Sequence, residues 1–135
     1  MFKLIKILNS GANVPEPCRI PKAEDTIIKA AEAMILTAGY AQSCPDAQKP
    51  EYISLACAAV GETEVVCYPV SPDMIFETAI SASATALSVG DKVTLSKDTD
   101  GASYFVSATT SGGVATITDL SEAKNAGDKV NVKFA

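Results

Sequence analysis

The residues that could perform acid–base chemistry in this chain are pairs of carboxylates, since the sequence contains no histidine. Glu62 and Glu64 are two positions apart, as are Asp98 and Asp100. In a strand this spacing places both side chains on one face, whereas in a turn both are solvated. The segment 98–101 also resembles the start of a calcium loop, but no glutamate follows at the twelfth position. A plain hairpin turn is therefore the favoured interpretation.

Nucleophilic or metal-dependent chemistry lacks the residues that it needs. A serine or cysteine nucleophile would have no histidine base, and the glycine-rich segment 111–113 precedes a predicted strand, not the helix that a phosphate cradle requires. The four cysteines are Cys18, Cys44, Cys57 and Cys67. None has the C-x-x-C spacing of a zinc site. We therefore predict no enzyme, no cofactor and no metal, with free thiols. Cys57 and Cys67 lie in apolar runs and are expected to be buried.

The length, composition and net charge of the chain limit the kinds of protein that it can be. Its 135 residues suffice for one domain with its own core, and 47% of them are hydrophobic. The net charge is −5 and lysines and arginines do not cluster, so we predict no nucleic-acid partner. No apolar run reaches the 18 or so residues of a membrane span. The apolar start of the chain is interrupted by Lys6 and is followed by prolines, so no export signal is predicted and maturation in a cytosol is expected.

The elements that would position these residues are predicted to be β-strands. Segments 89–95 and 126–132 are near copies, each a Gly-Asp turn that leads into a strand, and segment 60–66 is a looser third version. Further strands are predicted at 52–56, 63–70, 74–80, 92–96, 103–109, 114–118 and 129–134, with one helical turn possible at 120–126. The sum is typical of a mainly β protein: a small β-barrel or β-sandwich, β-tulip-like or SH3-like in form.

Residues 22–36 permit two interpretations. The alanine-rich run 28–36 could be helical, with an acidic residue near its start. Alternatively, 26–29 and 33–37 form two strands that end at Gly39, which agrees better with the β-rich remainder.

The first 21 residues are predicted to be an extended N-terminal arm outside the main core, followed by a β-rich domain at 22–135. Three prolines between 15 and 21 hold the chain extended and exclude a helix or a central strand. The apolar residues of this arm could form the first strand of the chain's own sheet or add to a partner's sheet. The residues predicted to bind the partner are Phe2, Leu4, Ile5, Ile7, Leu8, Val14 and Ile20.

Four runs in order along the chain resemble a known family. They are KAAEAMILTAG (29–39), KPEYISLA (49–56), AVGETEVV (59–66) and MIFET (74–78). Together they resemble the small head-decoration, or capsid cement, proteins of tailed bacteriophages. The resemblance implies a virion component without catalytic activity. Such a protein would be made in the host cytoplasm and would bind the major capsid protein on the capsid exterior as a homotrimer. It also implies that the extended terminus pairs with a strand of the capsid protein.

Other structural roles are compatible with the same pattern. A tail-tube or head–tail connector subunit is also β-rich but would assemble into rings or tubes. A carbohydrate-binding adhesin module would favour exposed aromatic residues, whereas this chain has four tyrosines, four phenylalanines and no tryptophan.

Overall fold

A computed structural model describes residues 1–8 and 15–135, and in these ranges the chain forms twelve β-strands and no helix. The strands are β1 (Lys3–Ile7), β2 (Cys18–Pro21), β3 (Ala33–Thr37), β4 (Tyr40–Ser43), β5 (Tyr52–Ser54), β6 (Glu64–Pro69), β7 (Met74–Ala79), β8 (Lys92–Val93), β9 (Leu95–Lys97), β10 (Ser103–Val106), β11 (Ala115–Asp119) and β12 (Lys129–Lys133). The mainly β class is confirmed. No sheet in the described part closes into a barrel, so the arrangement is sandwich-like. No helix there could cross a membrane.

The first sheet is antiparallel and has the strand order β1-β7-β12-β11-β8. Its central strands alternate: in β7 and β12 every second side chain is buried and the others are partly exposed. This is the pattern of a sheet with one face on the core. The separate β9–β10 hairpin joins β7 through a parallel bridge between Ile80 and Val106.

The second sheet has the order β2-β6-β5-β3-β4, and its two edge strands, β2 and β4, approach each other. In β3 the consecutive residues Ala33, Met34 and Ile35 are all buried. Ala33 and Ile35 contribute to one apolar cluster and Met34 to another, since the sheet is covered on both faces. A strand buried on both faces shows a continuous apolar run without alternation. This explains why the run was also compatible with a helix, and it confirms the strand interpretation of 33–37.

Two apolar clusters fill the molecule. The larger one lies between the two sheets and contains a chain of aromatic rings, with Phe134 at 5.5 Å from both Phe2 and Phe76 and Tyr68 stacked on Phe76 at 6.5 Å. The smaller cluster lies on the opposite face of the second sheet and includes Ile20. Because each cluster draws on strands distant in sequence, the fold depends on non-local pairing.

The two near-copied Gly-Asp segments form similar turns, as predicted. Gly90 and Gly127 have φ values of 98° and 94°, which residues with a side chain rarely adopt. The carboxylate of Asp91 accepts a hydrogen bond from the amide of Ser88 at 2.8 Å. The carboxylate of Asp128 accepts two amide hydrogen bonds at 2.9 Å each, and these lower its pKa. In both turns the aspartate therefore satisfies amides that the turn leaves without partners.

The N-terminal arm is the main correction to the sequence predictions. Residues 3–7 are not outside the core but form edge strand β1, antiparallel to β7, and residues 18–21 form edge strand β2, antiparallel to β6. The apolar side chains of the arm have room inside the domain's own clusters, which is why it does not extend away. The prolines do exclude a central strand, since β2 has a single neighbour and ends at Pro21.

Smaller differences concern loops. The predicted strand at 26–29 is reduced to one bridge between Ile28 and Ala58, and segment 120–126 contains no helical turn. Segment 98–101 is the turn of the β9–β10 hairpin, as expected.

All four cysteines are free thiols in the structure, and Cys67 is buried as predicted. Cys57, however, is exposed, because its run is a surface loop rather than a strand.

Candidate partner-binding surface

Two of the predicted partner-binding residues are buried in the domain itself. Phe2 is 1% exposed, and its ring meets that of Phe134 edge to face. Ile20 is buried in the smaller cluster. Neither side chain can contact another protein without partial unfolding of the domain. Val14 lies outside the described residues.

The remaining predicted residues lie along or beside β1. Leu4 and Ile7 are half-buried against the larger cluster, and Leu8 is half-buried after the strand ends. Ile5 is 44% exposed, because the pairing of β1 with β7 shifts register there. Of this group, only Ile5 counts as exposed; the others are half-buried.

The outer edge of β1 has features that discourage the addition of another strand. Lys3 and Lys6 are exposed on either side of the irregularity at Ile5. Natural sheets use lysines and bulges of this kind to prevent edge-to-edge pairing. The geometry therefore does not favour β1 as the site where a partner's strand would add.

A different surface is built from two loops that are hydrogen-bonded to each other, residues 22–32 and 55–63, here called the paired loops. Ile28 and Ala58 exchange amide–carbonyl hydrogen bonds of 3.0 and 2.8 Å. The amide of Gly61 donates to the carbonyl of Glu24 at 2.8 Å. These cross-links make the two loops one continuous backbone surface at the end of the second sheet.

The paired loops carry exposed apolar side chains. The exposed large apolar residues among those described are Met1, Ile5, Ile27, Leu36, Tyr40, Leu55, Val60 and Val89. Ile27, Leu55 and Val60 belong to the paired loops, and Ile27 and Val60 are 58% and 62% exposed. Single exposed apolar residues are ordinary on a protein surface, but three on two bonded loops form a candidate interface. The only feature of the sequence that points to this surface is that Val60 directly precedes a Gly-Glu turn.

Buried and charged groups hold the paired loops in shape. The side chain of Lys22 is only 1% exposed, and its ammonium group donates to the carbonyls of Ala23 and Thr26 at 2.7 and 2.5 Å. In the other loop, the carboxylate of Glu62 accepts the amide hydrogen of Ala59 at 2.5 Å. A surface fixed in this way loses little conformational entropy when a partner binds.

An ionic cluster connects the paired loops to the β9–β10 hairpin. The ammonium group of Lys29 lies 2.6 Å from the carboxylate of Asp98 and 2.5 Å from that of Asp100, and 5.8 Å from the centre of the Tyr104 ring. The hydrogen bonds that Lys29 donates to the carboxylates of Asp100 and Asp98 raise the pKa of Lys29. Burial acts to raise the pKa of Asp98, but hydrogen bonds from Lys29 and from two backbone amides outweigh it and lower that pKa. The predicted carboxylate pair thus serves as an anchor for lysine.

Glu32 is a buried carboxylate close to this cluster. It accepts the amide hydrogen of Lys29 at 2.8 Å, and its own amide donates to the hydroxyl of Ser54 at 2.9 Å. Burial raises the pKa of Glu32, and the hydrogen bond from the Lys29 amide lowers it by less. Ser54 also donates to the carbonyl of Lys29. The polar groups of this network bond to one another and to the backbone, so the network joins the start of β3 to β5.

One surface groove contains a carboxylate that is paired with a lysine. An open groove of about 450 Å³ lies between β7 and β10, with Ala79 and Phe105 among its lining residues. Its carboxylate, Glu77, is paired with Lys129 at 3.2 Å. In residues 1–8 and 15–135 no group of three or more histidine, cysteine or acidic residues is placed to hold a metal ion.

Comparison with known proteins supports the fold. No protein-family model matches the chain, and no curated protein matches its sequence. Among solved structures, the N base of the head fiber gp8.5 of bacteriophage phi29 is similar, with a TM-score of 0.55 and 15% sequence identity. The similarity covers 89% of this chain and 95% of that chain. At this identity the likeness concerns the fold, which the two chains share over nearly their whole length.

Proposed function

We propose that this chain is a structural protein of a bacteriophage head that binds the outer surface of the assembled capsid as a trimer and stabilises it without catalysing a reaction. The observation that carries the proposal is the fold shared with the N base of a phage head fiber over 89% of the chain. A fold alone does not determine function, so this warrant is one of analogy.

A separate line of support comes from the sequence runs that resemble head-decoration proteins. The runs at 29–39 and 49–56 include β3 and β5, the run at 59–66 includes part of the paired loops and the start of β6, and the run at 74–78 lies in β7. The resemblance therefore includes strands of both sheets and part of the paired loops.

The proposed mechanism is mass action on the assembled lattice. A protein that binds only the assembled capsid stabilises it by RT ln(1 + [L]/Kd) at each site, which is about 2.7 kcal/mol at a hundredfold excess over Kd. Summed over many sites, this stabilisation would resist the pressure of packaged DNA. The proposed partner is the major capsid protein, and the net charge of −5 agrees with a protein partner better than with DNA.

We place the capsid contact at the paired loops instead of the N-terminal residues. Ile27, Leu55 and Val60 offer apolar area on a rigid backbone, and complete burial of such a side chain contributes about 1.5–3 kcal/mol. The N-terminal residues that were first expected to make the contact are mostly buried or half-buried in the domain itself. The free edge of β1 carries Lys3 and Lys6, which discourage the addition of a partner's strand.

Binding to phage heads tests the proposal directly. The purified chain is mixed with heads that lack it, taken from the phage that encodes it, and the bound fraction is measured by gradient sedimentation. We expect Val60→Asp to weaken binding at least tenfold, because a carboxylate would be buried at the contact. Val89→Asp is the matched control, since Val89 is 63% exposed and lies in the loop before β8. It should bind like the parent.

A third variant distinguishes the two possible contact regions. Ile5→Asp changes the exposed apolar residue of β1 and should leave binding unchanged. If Ile5→Asp abolishes binding while Val60→Asp does not, the contact is at β1 and the paired-loop assignment is wrong. If the parent protein does not sediment with heads at all, the proposed function is wrong.

The proposed trimer is tested by size-exclusion chromatography with light scattering. We expect a mass three times that of the 14.0 kDa chain. Rings or long tubes in the same experiment would instead indicate a tail-tube or connector subunit.

A further inference from the structure

Two cysteine side chains face each other between the edge strand β2 and its neighbour β6. Cys18 and Cys67 are directly opposite in the antiparallel register, and their sulfur atoms are 3.6 Å apart. Opposite residues of an antiparallel pair have Cα atoms about 4.5–5.5 Å apart, which lies within the range that a disulfide spans. Small rotations of the two side chains would bring the sulfur atoms to the bonding distance of about 2.05 Å.

The surroundings of this pair differ between its two members. Cys67 is buried, and burial and the neighbouring Cys18 raise its pKa to about 12. Cys18 is partly exposed and packs against the smaller cluster. The pair thus combines a partly exposed cysteine with a buried one beside it.

The other two cysteines have no such neighbour among the described residues. The sulfur of Cys44 is buried and directed at the carbonyl oxygens of Gln48 and Pro45, at 3.1 and 3.5 Å. Cys57 is exposed on the paired loops. In the described part of the chain, the contact between Cys18 and Cys67 is the one in which two sulfur atoms meet.

We propose that Cys18 and Cys67 are a redox-modification site, which forms a reversible disulfide between β2 and β6 when the protein meets a low-molecular-weight disulfide. The sulfur of Cys18, as thiolate, attacks one sulfur of the reagent and releases the first small thiol. The sulfur of Cys67 then attacks Cys18 in the mixed disulfide and releases the second. One reagent disulfide is reduced to two thiols, which take up the two protons, and the protein loses two hydrogen atoms.

The bond would fasten an edge strand that has a single partner strand. It would close a loop of about 50 residues, and a cross-link of that length restricts the unfolded chain strongly. In a reducing cytosol the protein would keep both thiols, whereas in an oxidising medium the domain would become more stable. This inference does not depend on the proposed function, because the chemistry follows from the two side chains and their surroundings.

The test uses the full chain with Cys57→Ser, which removes the exposed thiol and with it adducts and cross-links between molecules. The protein is incubated with oxidised glutathione and then analysed by intact mass and by peptide mapping without reduction. We expect the loss of two hydrogen atoms and a linked peptide pair that contains Cys18 and Cys67. An unchanged thiol count, or a glutathione adduct that persists on Cys18, would overturn the proposal.

The second readout is thermal stability. The oxidised Cys57→Ser protein should melt about 10 °C above its reduced form, and dithiothreitol should reverse the shift. The matched control adds Cys18→Ser, so that Cys67 has no partner, and its melting temperature should not respond to the oxidant. If the disulfide forms but the melting temperature does not rise, the proposed fastening of β2 is wrong.

Discussion

Replacing Phe2 by alanine tests whether the N-terminal segment is part of the domain's own core. Phe2 is 1% exposed and packs edge to face against Phe134, which itself contacts Phe76. Removing a buried phenylalanine side chain costs about 3–5 kcal/mol, from lost apolar burial and from the cavity that remains. A domain of this kind is stable by about 5–15 kcal/mol, so Phe2→Ala should lose a large share of its stability.

The matched control is Ile5→Ala in β1, the strand that directly follows Phe2. Ile5 is 44% exposed and lies at the register shift of β1, so its truncation should cost less than about 1 kcal/mol. Both variants keep the backbone pairing of β1 with β7, and the comparison isolates what the buried side chain contributes.

The free energy of unfolding is measured by urea denaturation, followed by far-ultraviolet circular dichroism. Any affinity tag is placed at the C-terminus. A similar dependence on urea in all three proteins ensures that the midpoints can be compared. We expect the Phe2→Ala midpoint to fall far below that of Ile5→Ala. If the two variants lose the same small amount, residues 2–7 do not belong to the core, and the original interpretation as a free arm is restored.

Two further predictions concern a close backbone approach and an ionic contact. A Cβ atom on Gly113 would lie 2.3 Å from the carbonyl oxygen of Lys92, so Gly113→Ala should lower the free energy of unfolding by about 3 kcal/mol, measured by thermal or urea unfolding. The control is Gly39→Ala, which should lose about 1 kcal/mol because only the positive φ matters there. Equal losses in the two variants would contradict the close approach at Gly113. Asp98→Asn keeps an oxygen for two backbone amides but removes the charge that faces Lys29. The pKa of Asp98 is lower in the folded state than in the unfolded state, where it is about 4. The parent should therefore be more stable than Asp98→Asn above about pH 4, and this advantage should disappear as the pH falls through the folded-state pKa. A difference in the free energy of unfolding that does not vary with pH would contradict the ionic contribution.

The strand content was predictable because local patterns decide it. The strand at 129–133 alternates polar and apolar residues in the sequence, and its two apolar residues, Val130 and Val132, are the buried ones. Turns were predictable for a related reason, since Gly90 and Gly127 occupy backbone conformations that other residues avoid.

Pairing between distant strands was not predictable in this way. Strand β1 pairs with β7, about 70 residues later, and nothing in residues 2–8 specifies whether the partner is in the same chain or another. Only the space beside Phe134 and Phe76 decides that Phe2 is internal. The prediction of an arm outside the core was wrong for residues 3–7 and 18–21, and of the two alternatives left open for the apolar residues at 2–8, the structure has a strand in the chain's own sheet.

The residues of the candidate surface also could not be predicted from local sequence patterns. Ile27 and Ile28 are adjacent and identical, yet Ile27 is 58% exposed whereas Ile28 is buried and bridged to Ala58. Whether Ile27 or Ile28 faces outward depends on the loop at 55–63, a distant segment of the sequence to which Ile28 is bridged. The carboxylates at 98 and 100 were correctly placed in a turn, but their partner, Lys29, could not be inferred from the residues around them.

The most direct test of the central claim is to locate the chain in particles of the phage that, under the proposed function, would encode it. Purified particles are analysed by gradient sedimentation with quantitative mass spectrometry, and density for the domain is sought on the head by electron cryo-microscopy. The account predicts that the chain sediments with DNA-filled heads and that density for the domain contacts the shell through residues 22–32 and 55–63. A chain that remains entirely in the soluble fraction, or that occurs only in tails, would contradict it.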